Sequence, residues 1–145
     1  MSDQVILLVE DNEDDVTLML RALSDNQITN KIEVVRDGEE ALDYLFARGI
    51  HSGRDRHALP RIILLDLKLP KLDGLEVLKQ IRNDAQTRLT PVVVLTSSKE
   101  SRDLETSYRL GANSYIQKPL DFSRFVEAVR EIAVYWLRWN ETAAT

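Results

Sequence analysis

The chain has 145 residues, no cysteine, and 24 acids against 19 lysines and arginines, for a formal charge of -5. That length supports one domain with a substantial core, spanning residues 1–145. Without thiols there is no disulfide framework, thiolate metal site or cysteine nucleophile, and no clustered basic face offers itself to nucleic acid.

The N-terminus holds an apolar run of five residues, Val5 to Val9, too short for a signal peptide or a membrane span, so a cytoplasmic protein is expected. This run reads as a buried strand, ended by Glu10-Asp11-Asn12-Glu13-Asp14-Asp15. Val16, Met19, Leu20 and Leu23 recur at helical spacing behind acids that suit a helix N-terminus, which predicts a helix from about Glu13 to Ser24. Lys31 to Val35 is a second strand, and Asp37-Gly38 opens a helix through Ala41, Leu42, Tyr44, Leu45 and Phe46, ending near Gly49. Residues 50–60 are polar and aperiodic, carry both histidines, His51 and His57, and read as an inserted loop.

Ile62 to Pro70, IILLDLKLP, is the stretch around which the rest is organised. Four apolar residues and then a lone acid read as a strand buried on both faces with Asp66 at its carboxyl end. A turn at residues 70–74 leads to a helix carrying Leu75, Leu78 and Ile81. Val92 to Thr96 is a fourth strand, and Asp103, Leu104, Tyr108 and Leu110 form a helix closed by Gly111. Ser114 to Gln117 is a fifth strand, and a last helix is expected from about Phe122 to Asn140. Strands alternating with helices mean an α/β architecture, a doubly wound parallel sheet covered on both faces.

No glycine-rich phosphate loop follows the first strand; that junction is acidic instead. In such a sheet the carboxyl ends of the strands share one crevice, which gathers Glu10, Asp11, Asp66, Thr96 and Lys118. Two carboxylates about 5 Å apart repel by roughly 3 kcal/mol at an effective dielectric near 20, so three of them ask for a cation. Oxygen ligands without His or Cys favour Mg²⁺ over zinc. Such a site supports phosphoryl transfer, with Asp66 as nucleophile, Lys118 on a phosphoryl oxygen and the Thr96 hydroxyl on another. Tyr115 would report the movement of Thr96. Taken singly each residue has a plainer reading: Glu10-Asp11 as a helix cap, Asp66 as a turn acid, Thr96 and Lys118 as ordinary strand and surface residues.

VILLVEDNEDD, IILLDLKLPKLDG, VVVLTSS and SYIQKP, in this order, resemble the receiver domain of two-component response regulators over Val5 to about Ala133. The steps of 30 residues from Asp66 to Thr96, 19 to Tyr115 and 3 to Lys118 agree with that family. The resemblance implies the flavodoxin-like receiver fold, five strands in order 2-1-3-4-5 with five helices. It implies Mg²⁺ on Glu10, Asp11, Asp66 and the backbone carbonyl of Lys68, and Asp66 as acceptor from the phosphohistidine of a sensor kinase. It further implies a Thr96/Tyr115 switch pair, a Lys118 contact to phosphate and a cis peptide before Pro119. The loop at 50–60 resembles that of small single-domain regulators that partner phytochrome-type sensor kinases.

The residues after Pro119 suffice for one helix, so the output is expected to be a protein contact. Phe125, Val129, Ile132, Trp136 and Trp139 form one apolar stripe on a helix that outruns a minimal receiver, with about 134–145 as extension and tail. That stripe suggests a homodimer through the face of the fourth helix, fifth strand and fifth helix. Lys68 and Ser98 flank the path of an attacking water and neither would orient it, so slow autodephosphorylation is expected. Two other readings stand beside this one. A phosphohydrolase of the haloacid dehalogenase type would need an acid where Lys68 stands, and a pseudo-receiver would bind partners without accepting a phosphoryl group.

Overall fold

A computed structural model describes residues 4–143; of the expected domain and tail, residues 1–3 and 144–145 lie outside the described residues. Five strands, β1 (Ile6–Val9), β2 (Ile32–Val35), β3 (Ile62–Leu65), β4 (Val92–Thr96) and β5 (Ser114–Gln117), form one sheet in order 2-1-3-4-5. All four pairings are parallel. The connections are α1 (Glu13–Asp25), α2 (Gly38–Phe46), α3 (Gly74–Asn83) and α4 (Ser101–Leu110), and α5 (Phe122–Val134) follows β5.

Strand periodicity divides the core into two halves. Leu7, Val9, Ile63, Leu65, Val92 and Val94 point to one face and pack on Leu42 and Leu45 of α2 and Leu78 and Ile81 of α3. Ile6, Leu8, Ile62, Leu64, Val93 and Leu95 point to the other, where α1 supplies Val16, Met19 and Leu23 and α5 supplies Phe125, Val129 and Ile132. Burial on both faces is why β1, β3 and β4 read as unbroken apolar runs. The strand ends are left as the open edge of the sheet.

Phe125, Val129 and Ile132, expected at a dimer face, therefore lie in the chain's own core at 4%, 1% and 6% exposure. The stripe faces α1 and the sheet, because five parallel strands need a fifth helix to close that side. Trp136 also packs against this cluster, and of the five only Trp139 is exposed, at 70%.

The last helix differs too. Regular α-helix ends at Val134, and Tyr135–Trp139 form a π-helical turn in which the Asn140 N–H bonds the Tyr135 carbonyl at 2.7 Å. The Arg61 guanidinium, just before β3, donates to the carbonyls of Trp136 (3.3 Å) and Asn140 (3.0 Å) and so engages groups that an ending helix leaves free.

The 50–60 insertion is stitched down rather than loose. It begins with a 3-10 turn at Gly49–His51, after Ala47 and Gly49 adopt positive φ. Arg54 bonds the Tyr44 carbonyl and sits 3.9 Å from that ring's centroid; Arg56 lies over Phe46 and reaches Asp84 and Gln86 beyond α3. His51 bonds Glu40 at 3.1 Å and His57 bonds Gln86 at 2.6 Å. No cis peptide occurs among the described residues, so the bond before Pro119 is trans, contrary to expectation. The trans form is the intrinsically favoured one for an X–Pro bond, by about 0.5–1 kcal/mol.

Candidate functional site

Each site residue stands at or just past the carboxyl end of a strand, where the ladder stops and the side chain is released into the crevice. The Glu10 N–H bonds the Val35 carbonyl and the Asp66 N–H bonds the Val9 carbonyl, so the sheet itself fixes both acids. The helix-cap reading of Glu10-Asp11 does not hold, because Asn12 is the cap of α1 and accepts from the Asp15 N–H at 3.0 Å.

Behind Asp66 the chain turns tightly against α3. A Cβ on Gly74 would lie 2.3 Å from the Asp66 carbonyl oxygen and 2.6 Å from the Leu67 Cα, so only glycine lets α3 begin there. The Asp66 Oδ1 accepts from the N–H groups of Leu67 (2.7 Å) and Lys68 (3.4 Å), and its Oδ2 accepts from Lys118 Nζ at 3.2 Å. Both oxygens are thus oriented before any ligand arrives.

Lys118 is the positive centre, buried to 8% exposure. Its Nζ reaches Glu10 Oε1 at 2.7 Å and Asp15 Oδ2 at 2.7 Å as well as Asp66. Burial pulls its pKa down, but the hydrogen bonds it donates to Asp15 and Glu10 and the nearby negative charges outweigh that and hold it above the usual lysine value. Glu10 is 1% exposed, and burial pushes its carboxyl up to about 7, with the Asp66 charge adding to the rise and the Lys118 bond opposing it.

Glu10, Asp11 and Asp66 each offer an oxygen within 4.8 Å of the others. Asp11 is exposed while the other two are buried, which leaves one side open to water. An all-oxygen set with room for water suits a hard divalent cation. An open cleft of about 540 Å³ adjoins the acids, lined by Asp11, Lys68, Glu100, Arg102 and Asp103 among others.

The structure brings Glu10, Asp11, Asp66 and Lys118 together, and places Thr96, fully buried, at the end of β4 beside them in the sheet. Among the described residues no hydrogen bond joins Thr96 directly to Tyr115. Ser98 stands between them: its N–H bonds Thr96 Oγ1 at 3.3 Å and its carbonyl accepts from the Tyr115 hydroxyl at 3.4 Å. The Ser98 hydroxyl in turn donates to Asp103 at 2.6 Å. Two participants escaped the sequence reading, Asp15 and Asp103. Asp15 looked like one more acid of a helix N-terminus, and no local signal set it apart.

Residues 6–130 match the family model of the response regulator receiver domain. The chain is 49% identical over 138 residues to the probable methanogenesis regulatory protein FilR2 of Methanothrix harundinacea, covering 95% of this chain and 86% of that one. It is 38% identical over 142 residues to the response regulator Rcp1 of Synechocystis, covering 94% and 95%. Among solved structures, the phosphorylated cyanobacterial phytochrome response regulator RcpA superposes with a TM-score of 0.91 at 39% identity, over 97% of this chain and 99% of that one. The Mn²⁺-bound form of Rcp1 gives 0.90 at 37% identity, over the same shares.

Proposed function

The chain belongs to the response regulator receiver family, and we propose that it is a switch that accepts a phosphoryl group on Asp66 from the phosphohistidine of a sensor kinase. The observation that carries this is the pairing of Asp66 with Lys118 inside the three-carboxylate set. In the reaction an Asp66 oxygen attacks phosphorus, the P–N bond breaks, and its electron pair leaves on the imidazole nitrogen, which is neutralised by a proton. Asp66 is aligned by the Leu67 and Lys68 N–H groups. Lys118 exchanges a carboxylate for a phosphoryl oxygen and Thr96 donates its hydroxyl to another. A Mg²⁺ ion on Glu10, Asp11, Asp66 and the Lys68 carbonyl would supply the charge that offsets the phosphoryl oxygens.

Once Thr96 turns toward the phosphoryl group, its bond from Ser98 is lost, and Tyr115, tied to the Ser98 carbonyl, is released. The output is a changed protein surface rather than turnover of a substrate. A phytochrome-type kinase in the cytoplasm is the partner we favour, supported by the likeness to RcpA over nearly its whole length. We also infer a homodimer through α4, β5 and α5, now resting on the exposed Leu104, Tyr108 and Trp139. Sedimentation of Tyr108→Ala with Trp139→Ala tests it, and an unchanged dimer would remove this face.

Beryllofluoride, an aspartyl-phosphate mimic, with Mg²⁺ tests the central reading. Binding that Asp66→Asn and a chelator both abolish supports it, and wild-type protein that binds none leaves an interaction module without phosphoryl chemistry. The phosphorylated state should decay in minutes or longer, since Lys68 and Ser98 present no carboxylate to orient water; hydrolysis complete within seconds contradicts that.

A further inference from the structure

Among the described acids of the strand-end group, Asp15 stands apart. It is outside the set whose oxygens lie within 4.8 Å of one another, yet it bonds Lys118 as closely as Glu10 does, both at 2.7 Å. An ammonium has three N–H donors, and here three carboxylates meet them: Glu10, Asp15 and Asp66. Two of these three belong to the cation-binding set, so a divalent ion and Lys118 draw on the same two carboxylates. Asp15 is the one of the three that lies outside that set.

We propose that Asp15 is a positioning residue that carries Lys118 when Glu10 and Asp66 turn to a divalent cation. The inference rests on the receiver reading and gives that site a fourth acid with a separate task. Without Asp15, a cation taking Glu10 and Asp66 would leave a buried ammonium with neither counter-charge nor acceptor, facing a second positive centre; that state is costly. With Asp15 in place the ammonium keeps one short charged bond throughout. The local sequence explains the reach. Asn12 caps α1 and fixes the Asp15 N–H in its first turn, and helix side chains lean toward the N-terminus, which swings the carboxylate back over the strand ends.

The test is the affinity of the full chain for Mn²⁺ alone, by calorimetry or electron paramagnetic resonance, in the wild type, Asp15→Asn, Asp15→Glu and Asp14→Asn. Asp14 is the charge control, one residue along and exposed, and it makes no bond to Lys118. Asp15→Asn should weaken Mn²⁺ about tenfold, the low end for losing a residue that orients metal ligands, and Asp15→Glu should recover most of the loss. Asp14→Asn should stay within about twofold, a screened surface charge. In a Lys118→Met background, Asp15→Asn should lose its effect.

Melting curves establish that each variant is folded. Wild-type affinity in Asp15→Asn, equal weakening in Asp14→Asn, or an undiminished effect beside Lys118→Met would each overturn the proposal. Wild-type protein that binds no Mn²⁺ would overturn the metal site itself, a different result from wild-type binding that ignores Asp15.

Discussion

Two polar regions of this molecule use the same residue types to opposite ends. In the 50–60 insertion these basic side chains each have their own acid or carbonyl: Arg56 with Asp84, Arg54 with the Tyr44 and Ala58 carbonyls, His51 with Glu40. At the strand ends one lysine serves Glu10, Asp15 and Asp66, with Asp11 close by. The first arrangement meets each donor with an acceptor of its own and fastens a loop. The second keeps an excess of negative charge against a hydrophobic core, which a fold seeking stability alone would not retain, and that excess is what the proposed cation and phosphoryl group would use.

Removing the single cation should have the largest effect. Lys118→Met strands buried carboxylates and should cost about 3 kcal/mol of stability without metal, the low end for breaking a buried ion pair. Chemical denaturation should show much of that loss returned by Mg²⁺; a variant as stable as wild type in chelator would contradict the imbalance. Asp66→Asn should act in the other direction. It relieves repulsion among the acids while keeping an oxygen for the Leu67 N–H, and should stabilise the metal-free fold by about 1–2 kcal/mol, a fraction of the Coulomb repulsion it removes. A less stable Asp66→Asn would mean that the Lys118 pairing outweighs the repulsion.

The two regions should also respond differently to pH. The Glu10 pKa is raised to about 7 in the folded chain from 4.5, so the folded state holds this proton more tightly. Stability without metal should therefore increase as pH falls from about 8 toward 5, by a few degrees in Tm. Saturating Mg²⁺ should flatten the slope. In the other region, burial would raise the Asp84 carboxyl, but the Gln86 N–H and Arg56 together bring it below its ordinary value. Its contribution is present above the ordinary carboxylate pKa and is lost only as pH falls through the depressed value, outside that window. Melting curves that fall uniformly from pH 8 to 5 would refute the Glu10 assignment.

The same contrast explains what could be read from the sequence. β1, β3 and β4 are buried on both faces and announce themselves as apolar runs ending in an acid or a threonine, and strand order then converges Glu10, Asp11, Asp66, Thr96 and Lys118. The role of Asp15 stayed hidden because an acid in a first helical turn has a sufficient local reason to be there. Phe125, Val129 and Ile132 misled for the complementary reason: helical periodicity identifies an apolar face without saying what covers it, and α1 with the sheet does so here. The π turn after Val134 is bonded by Arg61, a residue some 75 positions away along the chain, and no local pattern announces that contact.

The smallest expected effect is the sharpest test of whether the regions are separate. Arg56 donates to Gln86 at 2.5 Å, bonds Asp84 and covers the Phe46 ring, while remaining partly exposed. Arg56→Ala should cost about 1 kcal/mol or less, since a partly exposed ion pair contributes little and the cation–π contact adds a similar amount. Its Mn²⁺ affinity should match wild type, because the loop is fastened to the far end of α3, whose other end begins at Gly74 beneath Asp66. A shift in Mn²⁺ affinity with so small a loss of stability would mean that α3 transmits strain from the loop to the Asp66 turn, and the insertion would then be part of the switch rather than a fastening.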